Sequence, residues 1–213
     1  MLHKKQISSG TSVGVWAMTE PLQALQASVR LDEEERQKLE ATKMESKKRE
    51  LLCTRALIKE LTGEGKIKIS YNEYGKPFLK NSGKKISISH TQNFVAVIID
   101  NHETGIDIQY MDPKIERISH KFMGETELKS MTPQNRREQL SVYWCAKEAL
   151  YKLYGNKKLD FKKDLVIEPF EYKDSGKIGG RIITGSGEQR YNLWYEKIAG
   201  KDDTMLVYVL NHE

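Results

Sequence analysis

The chain has 213 residues, 38% of them hydrophobic, with 35 Lys and Arg against 30 Asp and Glu for a formal net charge of +5. A mean hydropathy of −0.64 and a pI near 9.0 suit a globular protein that buries its core without disulfide staples and meets an anionic partner. The longest aliphatic run, 95–99, is far too short to span a membrane, and residues 1–12 are polar with no apolar signal region, so a cytoplasmic protein with no membrane partner is expected.

The first element in chain order is a strand over 11–17. A helical region over 21–61 follows, broken near Arg30 and Thr42, with Asp32 and Glu35 spaced as a capping box and Gly63 as a stop. Strands are predicted over 66–71, 85–90 and 94–100, separated by the turn-rich stretches 72–76 and 81–84. The strand from Gly105 opens the second half. Helices are expected over 114–122, from Glu125, and from Pro133 to Gly155, because proline in a first helical turn loses no hydrogen bond. Strands over 165–172, 190–196 and 205–211, with glycine-rich turns over 176–187, complete the chain. Each half is helix plus antiparallel strands, so the fold class is α+β.

Two segments carry the chemistry. Gly105-Ile106-Asp107-Ile108-Gln109 alternates with the period of a half-buried strand, placing Asp107 and Gln109 side by side on the polar face. In Trp144-Cys145-Ala146-Lys147-Glu148-Ala149-Leu150-Tyr151-Lys152, residues Trp144, Glu148, Tyr151 and Lys152 fall along one helical stripe. Two separated carboxylates suffice to hold a hard divalent cation against a substrate phosphate. The plain alternative is a solvated Asp and an ordinary Glu148 to Lys152 helix pair. Cys53 and Cys145 sit in helical stretches with no second cysteine or histidine at ligand spacing, and read as structural thiols. There is no Walker phosphate loop, dinucleotide-binding glycine turn or nucleophile elbow. Lysines are interspersed with glutamates and aromatics are sparse near them, so no nucleic-acid stacking platform is apparent.

The two segments resemble the paired signatures of the 4′-phosphopantetheinyl transferases of the larger, surfactin-synthetase-activating type. Gly75-Lys76-Pro77, Ile88-Ser89-His90-Thr91, and Phe122 with Glu127 agree with that family in order and spacing, and the resemblance runs from about Val13 to Gly155. One departure is Gln109, where the family usually has Glu; a neutral amide offers a carbonyl oxygen without charge.

The resemblance implies a pseudo-dimer of two similar helix-plus-antiparallel-sheet halves, here 1–103 and 104–213, with the active site at their interface. It implies transfer of the 4′-phosphopantetheine of coenzyme A to a serine of an acyl or peptidyl carrier protein, releasing 3′,5′-ADP. Mg²⁺, with Mn²⁺ as an alternative, would be held by Asp107, Glu148 and Gln109. Glu148 or a metal-bound water would take the serine proton, and Lys152 would stabilise the departing phosphate. Arg49, Lys76, Ser89, His90 and Lys152 would contact coenzyme A, and Glu127 would approach the metal or orient Lys152. Trp144 and Tyr151 would pack the helix against the sheet, whereas Phe122, Met123 and Leu128 would form an apolar docking patch for the carrier. A monomer is expected. The competing readings are a non-catalytic member that binds coenzyme A or a carrier, and a basic nucleic-acid-binding module.

Overall fold

A computed structural model describes residues 10–63, 68–80, 82–156, 158–199 and 203–210, together with the backbone of 2–6. In chain order the elements are β1 (Leu2–Gln6), β2 (Ser12–Ala17), α1 (Leu22–Ser28), α2 (Glu33–Ala41), α3 (Glu45–Thr62), β3 (Ile69–Tyr71), β4 (Pro77–Leu79), β5 (Lys85–His90), β6 (Phe94–Asp100) and β7 (Gly105–Tyr110). They continue with α4 (Ile115–Phe122), α5 (Glu125–Lys129), α6 (Arg136–Tyr154), β8 (Leu165–Ile167), β9 (Ser175–Thr184), β10 (Gly187–Ile198) and β11 (Thr204–Leu210). The mixture of helix and antiparallel sheet is the expected α+β class.

Local sequence explains most boundaries. Asp32 accepts from the Glu35 backbone N–H at 2.9 Å while the Glu35 carboxylate accepts from Asp32 N–H, so α2 starts on the anticipated capping box. Gly63 and Gly155 end α3 and α6 at φ of 73° and 65°, a left-handed backbone that glycine adopts without strain. The last long helix begins at Arg136, later than Pro133 suggested. The buried Gln139 side chain reaches back to accept from Thr132 N and Oγ1 at 2.7 and 2.9 Å, which holds the preceding residues in a turn.

Three strands differ from expectation. The one predicted over 165–172 stops at Ile167, just before Glu168-Pro169, where proline cannot donate to a ladder. The glycine-rich stretch from 176 is mostly strand: β9 runs to Thr184, and a two-residue loop, Gly185-Ser186, turns the chain into β10. Its glycines make room for neighbours, since a Cβ at Gly180 would come within 2.7 Å of Leu193 Cδ1. The strand predicted over 66–71 begins at Ile69, and residues 66 and 67 lie outside the described residues.

A four-stranded sheet has the order β1-β2-β6-β5 and a five-stranded sheet the order β7-β11-β10-β9-β8, all neighbours being antiparallel. The order β2-β6-β5 under α3 recurs as β7-β11-β10 under α6, a repeat invisible in the sequence. In each case the first strand carries a glycine beneath the helix. A Cβ at Gly14 would lie 2.6 Å from the Leu57 side chain, and one at Gly105 only 1.9 Å from the Ala149 carbonyl oxygen. Separate cores fill each half, built around Leu52, Leu57 and Val97 in one and Tyr143, Leu150 and Val207 in the other. A third cluster, with Val13, Ile98, Ile106, Ile108 and Leu206, joins the two sheets.

The two sheets meet along outer strands. β5 closes one sheet and β7 the other, and the free N–H edge of β7 is met by side chains instead of carbonyls. Ile106 N–H donates to Ser87 Oγ at 3.1 Å and Ile108 N–H to Ser89 Oγ at 3.3 Å. An unpaired strand edge is thereby satisfied without merging the sheets. Among the described residues no helix is long and apolar enough to cross a membrane.

Because the obstacle at Gly105 is helix backbone, Gly105→Ala should lower the urea midpoint by an amount equivalent to ~3 kcal/mol or more. Gly83→Ala, where a new Cβ meets nothing within 4 Å, should stay within about 0.5 kcal/mol of wild type. Equal effects of the two substitutions would contradict the close approach of α6 to β7.

Candidate active site at the β5–β7 seam

Asp107 is the centre of the site. It faces away from the Ile106 and Ile108 side of β7 and is only 1% exposed, so the polar face anticipated from the sequence lies inside the seam. Its Oδ1 accepts from Ser89 Oγ at 2.7 Å and from Lys152 Nζ at 2.6 Å, while Lys152 also donates to Ile106 O at 3.2 Å. Its Oδ2 is buried with no hydrogen-bond partner. A buried carboxylate oxygen is costly to leave unsatisfied, so this position favours a partner such as a water or a cation.

Glu148, one turn before Lys152 on α6, lies close enough to sense that charge. Burial first, then the Asp107 carboxylate, push its pKa up to about 7, with Lys152 opposing. Two carboxylates sharing one cation in a poorly solvated pocket cannot both ionise cheaply. Gln109 follows Asp107 on the same face of β7 and is half-buried. Cys145 borders the same carboxylates; burial and then Asp107 raise its pKa well above the usual thiol value, so it stays neutral, and its Sγ contacts Met205 O at 3.7 Å. Among the described residues no group of three or more His, Cys, Asp or Glu could hold a metal ion. The carboxylates brought near one another here are Asp107 and Glu148, with Gln109 two residues along the same face of β7. That set, with an orphaned oxygen, fits a hard divalent cation that takes its remaining ligands from water or substrate.

His90 ends β5 beside this cluster. Its Nε2 lies 3.2 Å from Glu50 Oε2 on α3, and Glu50 also binds Lys47 Nζ at 2.8 Å. Burial lowers the His90 pKa, Glu50 and Asp107 oppose that, and Lys47 and Lys152 add to it. Asp107, Glu148, Lys152, Ser89 and His90 are thus drawn from β5, β7 and α6 into one constellation.

The remaining candidates are placed differently. Lys76 Nζ donates to Leu153 O at 2.6 Å and pairs with Glu103, tying the turn before β4 to the end of α6. It lines two clefts that adjoin at Lys76, Pro77 and Gly155. The smaller, of about 160 Å³, reaches Lys152, Ser87, Tyr74 and Tyr151, and the larger, of about 620 Å³, extends to Lys85, Arg190 and Tyr191. Neither is lined by Asp107 or Glu148, so the carboxylates sit beyond the Lys152 end of the smaller cleft. Arg49 is engaged by the Glu20 carbonyl and by Glu45 at 2.7 Å, on the α1 side of α3.

Glu127 is a correction. It neither faces Lys152 nor joins Asp107; its Oε2 accepts from Gly124 N–H and from Lys147 Nζ, each bond close to hydrogen-bond optimum at 2.6 and 2.7 Å, and its Oε1 from Ile167 N–H at 2.8 Å. Lys147 is fully buried and also donates to Phe122 O and Phe161 O at 2.7 and 2.8 Å, so all three ammonium protons are used. The expected docking patch is also revised, since Phe122 and Met123 are 1% and 0% exposed and belong to the core. Trp144 and Tyr151 pack on the Phe161 ring, at 5.7 and 5.3 Å, in the turn before β8 instead of on the sheet. Sequence reasoning missed Ser87, Glu50 and Glu103. Ser87 alone had a signal, as the second serine in the alternation Ser87-Ile88-Ser89.

The fold is one of helices on antiparallel sheets, with a carboxylate pair and a lysine where the two sheets meet. Residues 103–201 match the family model of the 4′-phosphopantetheinyl transferase superfamily. The 4′-phosphopantetheinyl transferase gsp of Aneurinibacillus migulanus is 33% identical over 110 residues, which is 50% of this chain and 46% of the relative. The chain thus matches about half the length of that curated relative.

Two predictions follow from these charges. In chelator, the native state keeps a proton on Glu148 that the unfolded chain releases above about 4.5. Wild-type stability should therefore fall as pH rises from 4.5 to 7, and Glu148→Gln should gain on it by on the order of 1–2 kcal/mol between pH 5 and 8. A difference in melting temperature that does not change with pH would contradict the assignment. Lys147→Met, which strands the buried Glu127 carboxylate, should cost about 3–5 kcal/mol in chemical denaturation; a near-neutral result would rule out the buried pair.

Proposed function

We propose that the protein transfers the 4′-phosphopantetheine group of coenzyme A to a serine hydroxyl of an acyl or peptidyl carrier protein and releases 3′,5′-ADP. The observation that carries this reading is the Asp107 carboxylate, buried with Oδ1 doubly bonded to Ser89 and Lys152 and Oδ2 unsatisfied, next to a Glu148 held near neutrality. Mg²⁺, or Mn²⁺ by the same donor chemistry, would be held by Asp107 and Glu148, with Gln109 offering a neutral oxygen. Such an ion supplies charge neutralisation for the coenzyme A diphosphate as the leaving group departs.

The residues of the chain account for the remaining steps. Lys152, about one-quarter exposed, presents its ammonium to the diphosphate and to the charge that develops on 3′,5′-ADP. The serine oxygen of the carrier bonds to the phosphorus that bears pantetheine, and the bond from that phosphorus to the bridging diphosphate oxygen breaks. The serine proton passes to the Glu148 carboxylate, which lies beside Asp107 and Lys152. His90 and the two adjoining clefts, with Lys76 between them, receive the nucleotide end of coenzyme A. Ser89 acts by fixing Asp107. Halves 1–103 and 104–213 would each supply one wall, consistent with β5 and β7 meeting at the site.

Intact mass spectrometry tests the reading. Incubation with coenzyme A, Mg²⁺ and unmodified carrier proteins of fatty-acid, polyketide and nonribosomal-peptide type should add one phosphopantetheine to a serine of at least one of them. Asp107→Ala and Glu148→Ala should each slow the gain by about a hundredfold or more. No mass gain on any carrier, or full activity in both variants, would refute the proposal.

A further inference from the structure

Glu50 lies outside every motif used so far, yet it is the acidic side chain held against His90. It projects from α3, is 18% exposed, and its Oε2 lies 3.2 Å from His90 Nε2. The imidazole itself is 47% exposed, so a well-packed carboxylate holds a side chain that solvent and ligands can still reach. Lys47 closes the arrangement with contacts of 3.0 and 2.8 Å to the two Glu50 oxygens. An acid beside a site for phosphate would repel its ligand unless its charge were already engaged, and here it is engaged twice.

We infer that Glu50 is a positioning residue for His90, fixing the imidazole through Nε2 so that it meets a phosphate or diphosphate group at the rim of the Asp107 and Lys152 cluster; this rests on the transferase reading above. A histidine at a strand end has freedom about both side-chain torsions, and a carboxylate at Nε2 fixes its orientation and favours the imidazolium, whose Nδ1–H can then donate to an anion. The charged groups that act on His90 come from three elements: Glu50 and Lys47 on α3, Lys152 on α6 and Asp107 on β7. Burial and the two lysines drive His90 toward the neutral form, and Glu50 is the principal opposing charge. Removing that charge therefore weakens His90 as a donor to an anion as well as loosening it.

The test uses the full chain with Glu50→Ala and Glu50→Gln, reading the His90 ring nitrogens by NMR and the kinetics with coenzyme A. In Glu50→Ala, His90 should lose its single tautomer and titrate at lower pH, and KM for coenzyme A should rise about tenfold with kcat changed less than threefold. In Glu50→Gln, whose amide oxygen can still accept, the tautomer should persist while the titration moves down and KM rises less. Inorganic pyrophosphate should shift the His90 signals of wild type at lower concentration than those of Glu50→Ala. An unchanged tautomer, titration and pyrophosphate response in Glu50→Ala overturns the inference, as does an unchanged or lower KM. Should wild type bind pyrophosphate through His90 but modify no carrier, the transferase reading fails while the Glu50 assignment stands.

Discussion

Two serine hydroxyls join the sheets of this protein, and the site exists because they do. Ser87 and Ser89 satisfy the outward N–H groups of Ile106 and Ile108, which lets two edge strands lie side by side without forming one continuous sheet. Backbone pairing would have brought β5 and β7 to ordinary strand spacing. A side-chain bridge holds them apart by the reach of a hydroxyl. The same Ser89 oxygen that accepts from β7 donates to Asp107, so the contact that closes the seam also orients the central carboxylate.

α6 serves both structure and chemistry through two lysines on different faces. Lys147 is sealed in the core, its ammonium fully used by Glu127, Phe122 O and Phe161 O. That pair fastens α6 to the segment around α5 and to β8, because Glu127 also holds Gly124 and Ile167. Lys152 emerges at the seam with its side chain 28% exposed, bonded to Asp107 and still reachable. One buried ion pair sets the helix position, and the close approach at Gly105 sets its height over β7. Together they deliver Glu148 to the neighbourhood of Asp107.

The electrostatics of the site are poised. Asp107 is neutralised on one oxygen only, Glu148 is pushed to about 7, and His90 is pulled down by burial while Glu50 opposes. The Glu148 shift comes from placing a carboxyl beside Asp107 where water is scarce, whereas His90 stays partly open to solvent. A cation and a phosphate arriving together would relieve both shifts.

By itself the sequence determined the class of elements and where the candidate charged residues lie on them. The capping box at Asp32, the glycine stops at Gly63 and Gly155, and the alternation of Gly105 to Tyr110 are local signals, written within a few residues of the feature they control. The placement of Asp107 on a strand and of Glu148 and Lys152 one turn apart on a helix was legible for the same reason. Only the tertiary structure decided which distant groups meet. Glu127 turned from the site to Lys147, Phe122 and Met123 went into the core, Gly180 made strand where turn was expected, and Glu50 came to His90. Those outcomes depend on how helices and sheets pack across long stretches of chain, and no window of neighbouring residues encodes which long-range partner a buried charge or ring will find.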